Sequence, residues 1–220
     1  KSIGISGMSL PYEDALKNGR QEEALKQIFD SIEEEPEVEV HYINGGNLLH
    51  SFGRDEEAEQ FLQKAIDLNS QSTSAFYSLA NIYYNHERYE EAIRLYLIAY
   101  SRNEKDADLN FMLAMCYINT QQPKAALQFF EVAYQEKPDD IDICFQYGLL
   151  CCQLSLFDPA EKLLTKVVDK TQHADAQYNL GLLKLVRDDD KVQAAEHFQK
   201  AIDVQKDHHL AHHALKKISE

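Results

Sequence analysis

The chain has 220 residues with 22 basic and 37 acidic side chains, which give a formal net charge of −15 at pH 7. This negative surface argues against binding to nucleic acid or to an anionic membrane, since neither attracts it. No run of about 18 apolar residues is present, so the sequence predicts no membrane-spanning helix.

The cysteines indicate a reducing compartment. There are 4 cysteines, none in a C-x-x-C pair, and all fall within predicted helices. We interpret them as small buried apolar groups of a cytoplasmic protein. They are Cys116, Cys144, Cys151 and Cys152.

Residues 1–11 fit no repeating pattern, and we interpret them as an irregular N-terminus or a cloning remnant. Residues 12–38 predict a degraded helical hairpin, because Pro11 and nearby glycines disfavour a full first helix. A short helix from about Tyr12 to Asn18 should end at Gly19. A second helix should follow and stop at Pro36, through Ala24, Leu25, Ile28, Phe29 and Ile32.

Residues 39–72 predict a second hairpin with an unusual pair of glycines in its first helix. Gly45 and Gly46 each lower helix stability by roughly 1 kcal/mol. Either a bulky neighbour fills the space beside them, or this helix is the least stable in the chain. Asp55 is expected to cap the next helix, whose first turn is acidic.

Residues 73–106 form a clear pair of amphipathic helices with apolar residues at spacings of three and four. The pattern repeats with a period of 34 residues in units 107–140, 141–174 and 175–208. One position of the pattern holds a small residue in every repeat. A larger side chain there, between two crossing helices, would overpack the contact and cost roughly 1–3 kcal/mol of stability. The repeating alanines are Ala24, Ala58, Ala92, Ala126, Ala160 and Ala194.

These residues resemble the tetratricopeptide repeat (TPR), whose signature runs aromatic, Leu, Gly/Ala, Tyr, Ala, aromatic, Ala, Pro. Residues 73–106 agree with this signature everywhere except the final proline. The matching residues are Phe76, Leu79, Ala80, Tyr83, Ala92, Tyr96 and Ala99, with Glu104 as the departure. The whole chain is similar to short, all-TPR cytosolic proteins of Gram-positive bacteria.

The resemblance implies an all-α fold, a right-handed TPR superhelix (α-solenoid) of helix-turn-helix repeats. A single TPR domain is expected over residues 12–220, with repeats 39–72, 73–106, 107–140, 141–174 and 175–208. Residues 209–220 are expected to form a capping helix that shields the last repeat from solvent.

In TPR proteins the first helix of each repeat lines a concave groove, and the resemblance places the candidate partner-binding residues there. Aromatic rings supply apolar contact area, and asparagine amides pair with peptide backbone. The alternative is that the rings partly pack against the next repeat. The candidates are Ile43, Asn47, His50, Tyr77, Asn81, Tyr84, Asn85, Phe111, Met115, Asn119, Phe145 and Tyr178.

The partner is predicted to be a protein or peptide with a basic or uncharged segment. Some TPR domains hold a peptide's terminal carboxylate with Lys and Arg, but this chain has Asp108 and Met112 at those positions. Each later repeat also has an acidic residue at its first or second position, namely Asp108, Asp142 and Asp175.

No catalytic residue, cofactor or metal site is predicted. His208, His209, His212 and His213 form two i, i+4 pairs, which we interpret as a solvated face of the terminal helix. The sequence therefore favours a non-enzymatic adaptor that binds a peptide in the groove. Two alternatives stay open, a sensor responding to a peptide or small ligand and an RNA-binding helical repeat.

Overall fold

The computed structural model describes residues 10–220, and these residues form thirteen α-helices and no β-strand. Backbone contacts divide the chain after Glu104 into two compact units. The first unit holds α1 (Glu13–Lys17), α2 (Gln21–Glu34), α3 (Glu39–Ser51), α4 (Asp55–Leu68), α5 (Thr73–Asn85) and α6 (Tyr89–Tyr100). The second holds α7 (Ala107–Asn119), α8 (Pro123–Glu136), α9 (Ile141–Gln153), α10 (Phe157–Lys170), α11 (Ala174–Val186), α12 (Lys191–Val204) and α13 (His209–Ile218).

Helices pair as hairpins within each unit. In the first unit α3 packs on α4 and α5 on α6, and α4 also packs on the next hairpin through α5. In the second unit the hairpins are α7–α8, α9–α10 and α11–α12, joined by the pairs α8–α9 and α10–α11. We call the odd-numbered helix of each hairpin helix A and the even-numbered one helix B.

The repeating small residues lie where the two helices of a hairpin meet. Each of the six alanines is fully buried. At the facing position of α11, a Cβ on Gly181 would lie 2.5 Å from the Cε1 atom of Phe198, closer than carbon atoms approach. The 34-residue period is therefore a packing requirement.

Bulky side chains of α4 occupy the space beside the paired glycines of α3. A Cβ on Gly45 would lie 2.8 Å from Cδ2 of Phe61, and one on Gly46 would lie 2.7 Å from Cγ of Leu62. Of the two alternatives left open by the sequence, a filled space is the one observed. The glycines let α4 approach α3 closely, which offsets their low helix propensity.

The turn between helix A and helix B repeats a left-handed residue every 34 positions. Its φ angle is +78° at Gly53, 60° at Glu87 and 62° at Gln121. The N–H of the next residue reaches back to helix A, as in the 2.9 Å bond from Arg54 N to Leu49 O, which is the Schellman arrangement. The full set is Gly19, Gly53, Glu87, Gln121, Ser155 and Asp189.

Both ends of the array differ from its middle. At the start, the buried Tyr12 directly precedes the short α1, and its hydroxyl lies 2.8 Å from Nδ1 of the buried His41. At the end, α13 packs on α12 through the buried Ala211.

Candidate functional site

The twelve predicted partner-binding residues all lie on helices A, and none is buried. In the first unit they occupy α3 and α5, and in the second unit α7, α9 and α11. Asn47, Asn85 and Asn119 are exposed. The other nine are half-buried, namely Ile43, His50, Tyr77, Asn81, Tyr84, Phe111, Met115, Phe145 and Tyr178. Their role in binding stays a prediction.

The aromatic residues of this set each rest on another ring. The ring centroid of Tyr77 lies 5.7 Å from that of Tyr96 on α6. In the second unit Phe111 lies 6.0 Å from Phe130 on α8, and Tyr178 lies 5.6 Å from Phe198 on α12. These rings therefore pack partly against helix B of their own hairpin and still keep part of their surface in solvent.

The amide of Asn81 is oriented by a buried tyrosine. The hydroxyl of Tyr96 donates a hydrogen bond to Oδ1 of Asn81. Tyr96 is fully buried, whereas Asn81 is half-buried. The bond fixes the side-chain oxygen toward helix B, which leaves the NH₂ group as a donor on the other side.

A hydrogen-bond network links two predicted residues, His50 and Asn85, to the turns of α3–α4 and α5–α6. Nδ1 of His50 lies 2.6 Å from Oδ1 of Asp55, and its Nε2 lies 3.0 Å from Nδ2 of Asn85. His86 completes the network, with Nε2 2.5 Å from the other oxygen of Asp55. With neutral histidines every contact has one donor and one acceptor.

Asp55 therefore does not cap α4, and that expectation is wrong. Arg54 occupies the N-cap position and makes no side-chain cap bond. Burial alone would raise the pKa of the Asp55 carboxyl group, but the hydrogen bonds from His50 and His86 outweigh burial and lower the pKa below its usual value.

Two histidines that the sequence did not single out as caps begin helices of the second unit. Nδ1 of His173 accepts a hydrogen bond from Ala176 N at 3.1 Å, and Nδ1 of His208 does the same from Ala211 N at 3.1 Å. Each ring also lies against an aromatic candidate residue, with centroids 4.3 Å apart for Phe145–His173 and 5.3 Å apart for Tyr178–His208.

These contacts also decide what the C-terminal histidines do. His208 is 5% exposed, and its Nε2 lies 2.8 Å from Oδ1 of Asp175. Nε2 of His212 lies 2.8 Å from the carbonyl oxygen of Lys206. The pair His208–His212 is thus engaged within the chain. Across residues 10–220, no group of three or more metal-ligating side chains is arranged to hold an ion.

The acidic residues at the start of the helices A are exposed. Asp108 pairs with Lys137 at 3.1 Å between Oδ1 and Nζ, and both side chains are at least half exposed. Asp175 accepts from His208, as described above. Asp142 is exposed on α9 and has no ion pair with any residue from 10 to 220. Together they give the helix A face of the second unit a negative edge.

The thiols are unsuited to nucleophilic chemistry. Burial raises the pKa of Cys116 to about 12 and that of Cys151 to about 11. All four cysteines are free, and burial also raises the pKa of Cys152, the half-buried one. A protonated, enclosed thiol is a poor nucleophile.

Comparison with known proteins assigns the family. A family model described as "Tetratricopeptide repeat" matches residues 8–149, and a second model with the same description matches residues 120–184. The chain belongs to the tetratricopeptide repeat family. The thirteen helices and their pairing confirm the predicted all-α TPR solenoid class.

Solved TPR structures resemble the chain over most of its length. YrrB, described as "a TPR protein with an unusual peptide-binding site", is 34% identical with a TM-score of 0.78, over 86% of this chain and 97% of YrrB. PilF of Pseudomonas aeruginosa is 16% identical with a TM-score of 0.82, over 94% of each chain. MamA from Desulfovibrio magneticus RS-1 is 20% identical with a TM-score of 0.70, over 78% of this chain and 97% of that one.

The last two similarities concern the fold alone. The sequence matches none of the curated proteins with which it was compared. Between residues 10 and 220, no helix has the length and apolar composition needed to cross a membrane.

Proposed function

We propose that this TPR protein is a non-enzymatic adaptor that binds a peptide or protein segment along its helices A. Membership of the TPR family indicates a role in protein–protein interaction. The observation that carries the finer proposal is that the helices A of each unit present half-buried aromatic residues together with asparagine side chains. Such a surface offers apolar contact area at low entropy cost together with hydrogen bonds to peptide backbone.

Similarity to YrrB supports peptide as the ligand class. YrrB is described as having a peptide-binding site, and the 34% identity extends over 97% of its length. The helices A of both units supply the contacts in our proposal, with Tyr77 and Asn81 in the first unit and Phe111, Phe145 and Tyr178 in the second.

The charge of the helices A favours a basic or uncharged partner segment. Asp108, Asp142 and Asp175 stand at the first turn of α7, α9 and α11, and the chain carries a net charge of −15. A cationic segment is attracted to this edge, whereas nucleic acid and anionic membranes are repelled. We therefore propose a protein partner and no nucleic acid or membrane surface.

The proposal includes a cytoplasmic location, supported by four free cysteines. It includes the absence of catalysis, supported by the protonated state of the thiols. The single TPR domain predicted over residues 12–220 stays a prediction.

Affinity capture tests the proposal. Wild-type protein and the variants Tyr77→Ser and Phe145→Ser are immobilised and exposed to lysate of the source cell, and retained proteins are identified. We expect a partner whose retention falls at least about tenfold in both variants, because rings at the centre of an interface dominate its affinity. Gln63→Ala on the exposed side of α4 is the matched control. Retention that is equal in all four proteins would refute the proposal.

A further inference from the structure

A cavity on the helix B side of the first unit is unlike the same place one repeat later. It measures about 430 Å³ and lies between α2 and the turn that follows α3. Leu25, 7% exposed, forms its floor, and Phe29 and Phe52 are 36% and 38% exposed. Lys26, Arg54 and Glu22 complete the lining. Two aromatic rings thus stand at the surface beside two basic side chains.

The next hairpin has polar residues at this place. One period of 34 residues after Leu25, Phe29 and Phe52, the chain has Glu59, Gln63 and His86. The three apolar residues that line the cavity are therefore replaced by polar residues in the following repeat. Exposed aromatic side chains clustered in this way mark binding surfaces more often than chance exposure does.

The same comparison shows that Arg54 lacks a carboxylate contact that Arg88 has. Arg54 and Arg88 are one period apart, and each binds the glutamate three residues ahead, Glu57 and Glu91, through Nε and Nη2. Arg88 has a further carboxylate, because its Nη1 donates to Oε1 of Glu59 at 3.3 Å. Leu25 stands where Glu59 would be for Arg54.

No carboxylate from the previous hairpin therefore reaches Arg54. Within residues 10–220, Nη1 of Arg54 has no acceptor and Lys26 has no ion pair. A guanidinium with this geometry binds a second carboxylate in the next repeat, so the same atoms are suited to a carboxylate supplied from outside.

We propose that Leu25, Phe29, Phe52, Lys26 and Arg54 form a second docking site for a partner protein. Its occupant is a peptide segment in which an aromatic or aliphatic side chain stands next to a carboxylate. The apolar side chain covers the two rings, and the carboxylate lies between Arg54 and Lys26, where Glu59 lies for Arg88. The shallow depth of the site, with both rings at the surface, suits one or two side chains of a protein segment.

This site is chemically the opposite of the helix A face. The helix A face of the second unit carries aspartates and favours cations, whereas the cavity beside α2 carries Lys26, which has no ion pair within residues 10–220, and Arg54, which pairs with Glu57 and keeps Nη1 available for a second carboxylate. The docking site does not depend on the peptide-binding role proposed for the helices A.

Peptide selection with a repeat-swap variant tests the docking site. In Phe29→Gln/Phe52→His, both rings are replaced by the residues found one period later, so the variant retains side chains that a TPR hairpin accommodates here. A random 12-residue phage library is first depleted on this variant and then selected on the wild-type protein. We expect enriched peptides with an aromatic or aliphatic residue adjacent to Asp or Glu.

The synthesised consensus peptide should bind the wild-type chain at least about tenfold more tightly than it binds Phe29→Gln/Phe52→His. Arg54→Gln should weaken binding about threefold or more, and replacing the acidic residue of the peptide by its amide should give a similar loss. Tyr77→Ser should bind this peptide as the wild type does, which separates the docking site from the helix A face.

Three results would overturn the docking site. One is an absence of enrichment after depletion, and another is a consensus without an acidic residue. A third is a wild-type dimer in analytical ultracentrifugation that Phe29→Gln/Phe52→His dissociates, since a second copy would then cover the rings. If the double variant unfolds, as judged by circular dichroism, Arg54→Gln and Lys26→Gln provide the same test, because both residues are exposed.

Discussion

The hydroxyl group of Tyr96 on α6 donates a hydrogen bond to the side-chain oxygen of Asn81 on α5. A residue of helix B thereby sets the orientation of a predicted binding residue on helix A. The equivalent positions of the second unit hold Phe130, Leu164 and Phe198, which carry no hydroxyl group. There the residues at the position of Asn81 are apolar, namely Met115, Leu149 and Leu182.

Tyr96→Phe should separate the hydrogen bond from the ring packing. We expect the free energy of unfolding to fall by about 0.5–1.5 kcal/mol, because the hydrogen bond is lost and the ring remains. Urea denaturation measures this change. In a double-mutant cycle with Asn81→Ala, the two effects should not add. Full additivity would show that the two side chains do not depend on each other.

Leu113→Ala should destabilise the second unit strongly. Leu113 is fully buried on α7, so its truncation leaves a cavity and should lower the free energy of unfolding by about 2–5 kcal/mol. Asn119→Ala, at the exposed end of the same helix, should change it by about 0.5 kcal/mol or less. Similar losses for both substitutions in urea denaturation would contradict the assigned burial.

Substitutions at two of the left-handed turn residues should change stability in opposite directions. Gly53→Ala should lower stability by about 1 kcal/mol, since φ is +78° and no atom outside the turn lies within 4 Å of the added Cβ. Glu87→Gly should raise stability by up to about 1 kcal/mol, because Glu87 adopts a φ of 60° that favours glycine. Thermal melts of both variants measure the two changes. A loss of stability in Glu87→Gly would show that its side chain stabilises the turn by more than its backbone conformation destabilises it.

Asp55 should make the first unit less stable in acid. The pKa of its carboxyl group is lowered in the folded chain, so its ionised form stabilises the fold above the unfolded pKa, near 4. That stabilisation is lost as pH falls from about 4 through the folded value. Asp55→Asn should therefore lower stability at pH 7, by about 1 kcal/mol if one hydrogen bond is lost, and have a smaller effect near pH 3. An equal effect at both pH values, measured by urea denaturation, would contradict the role of the charge.

The hairpins were predictable because their determinants are local and repeat. A small residue at Ala92 or Ala126 and apolar spacings of three and four follow from how two adjacent helices pack. The ending of α1 near Gly19 was predictable for the same reason. The filled space beside Gly45 was not, because Phe61 lies in a different helix and only its packed position decides between the two alternatives.

The polar contacts of the candidate site escaped sequence reasoning. Asp55 has the residue type of an N-cap but is the first residue of α4, and its carboxylate is bound by His50 and by His86, which is 31 residues away. His173 caps a helix although histidine is an uncommon cap, and only the position of its Nδ1 beside Ala176 N reveals it. The sequence likewise did not decide how deeply rings such as that of Tyr77 are buried, because the spacing of apolar residues in helix A does not show how much of each ring helix B covers.

Hydrogen–deuterium exchange of the chain with a partner captured from lysate tests most directly whether the helices A form the binding surface. Amide exchange is compared with and without saturating partner, helix by helix. We predict slower exchange and new protection in α3, α5, α7, α9 and α11, with smaller changes in α4, α6, α8, α10 and α12. Protection confined to the helices B, with the helices A unchanged, would contradict the account.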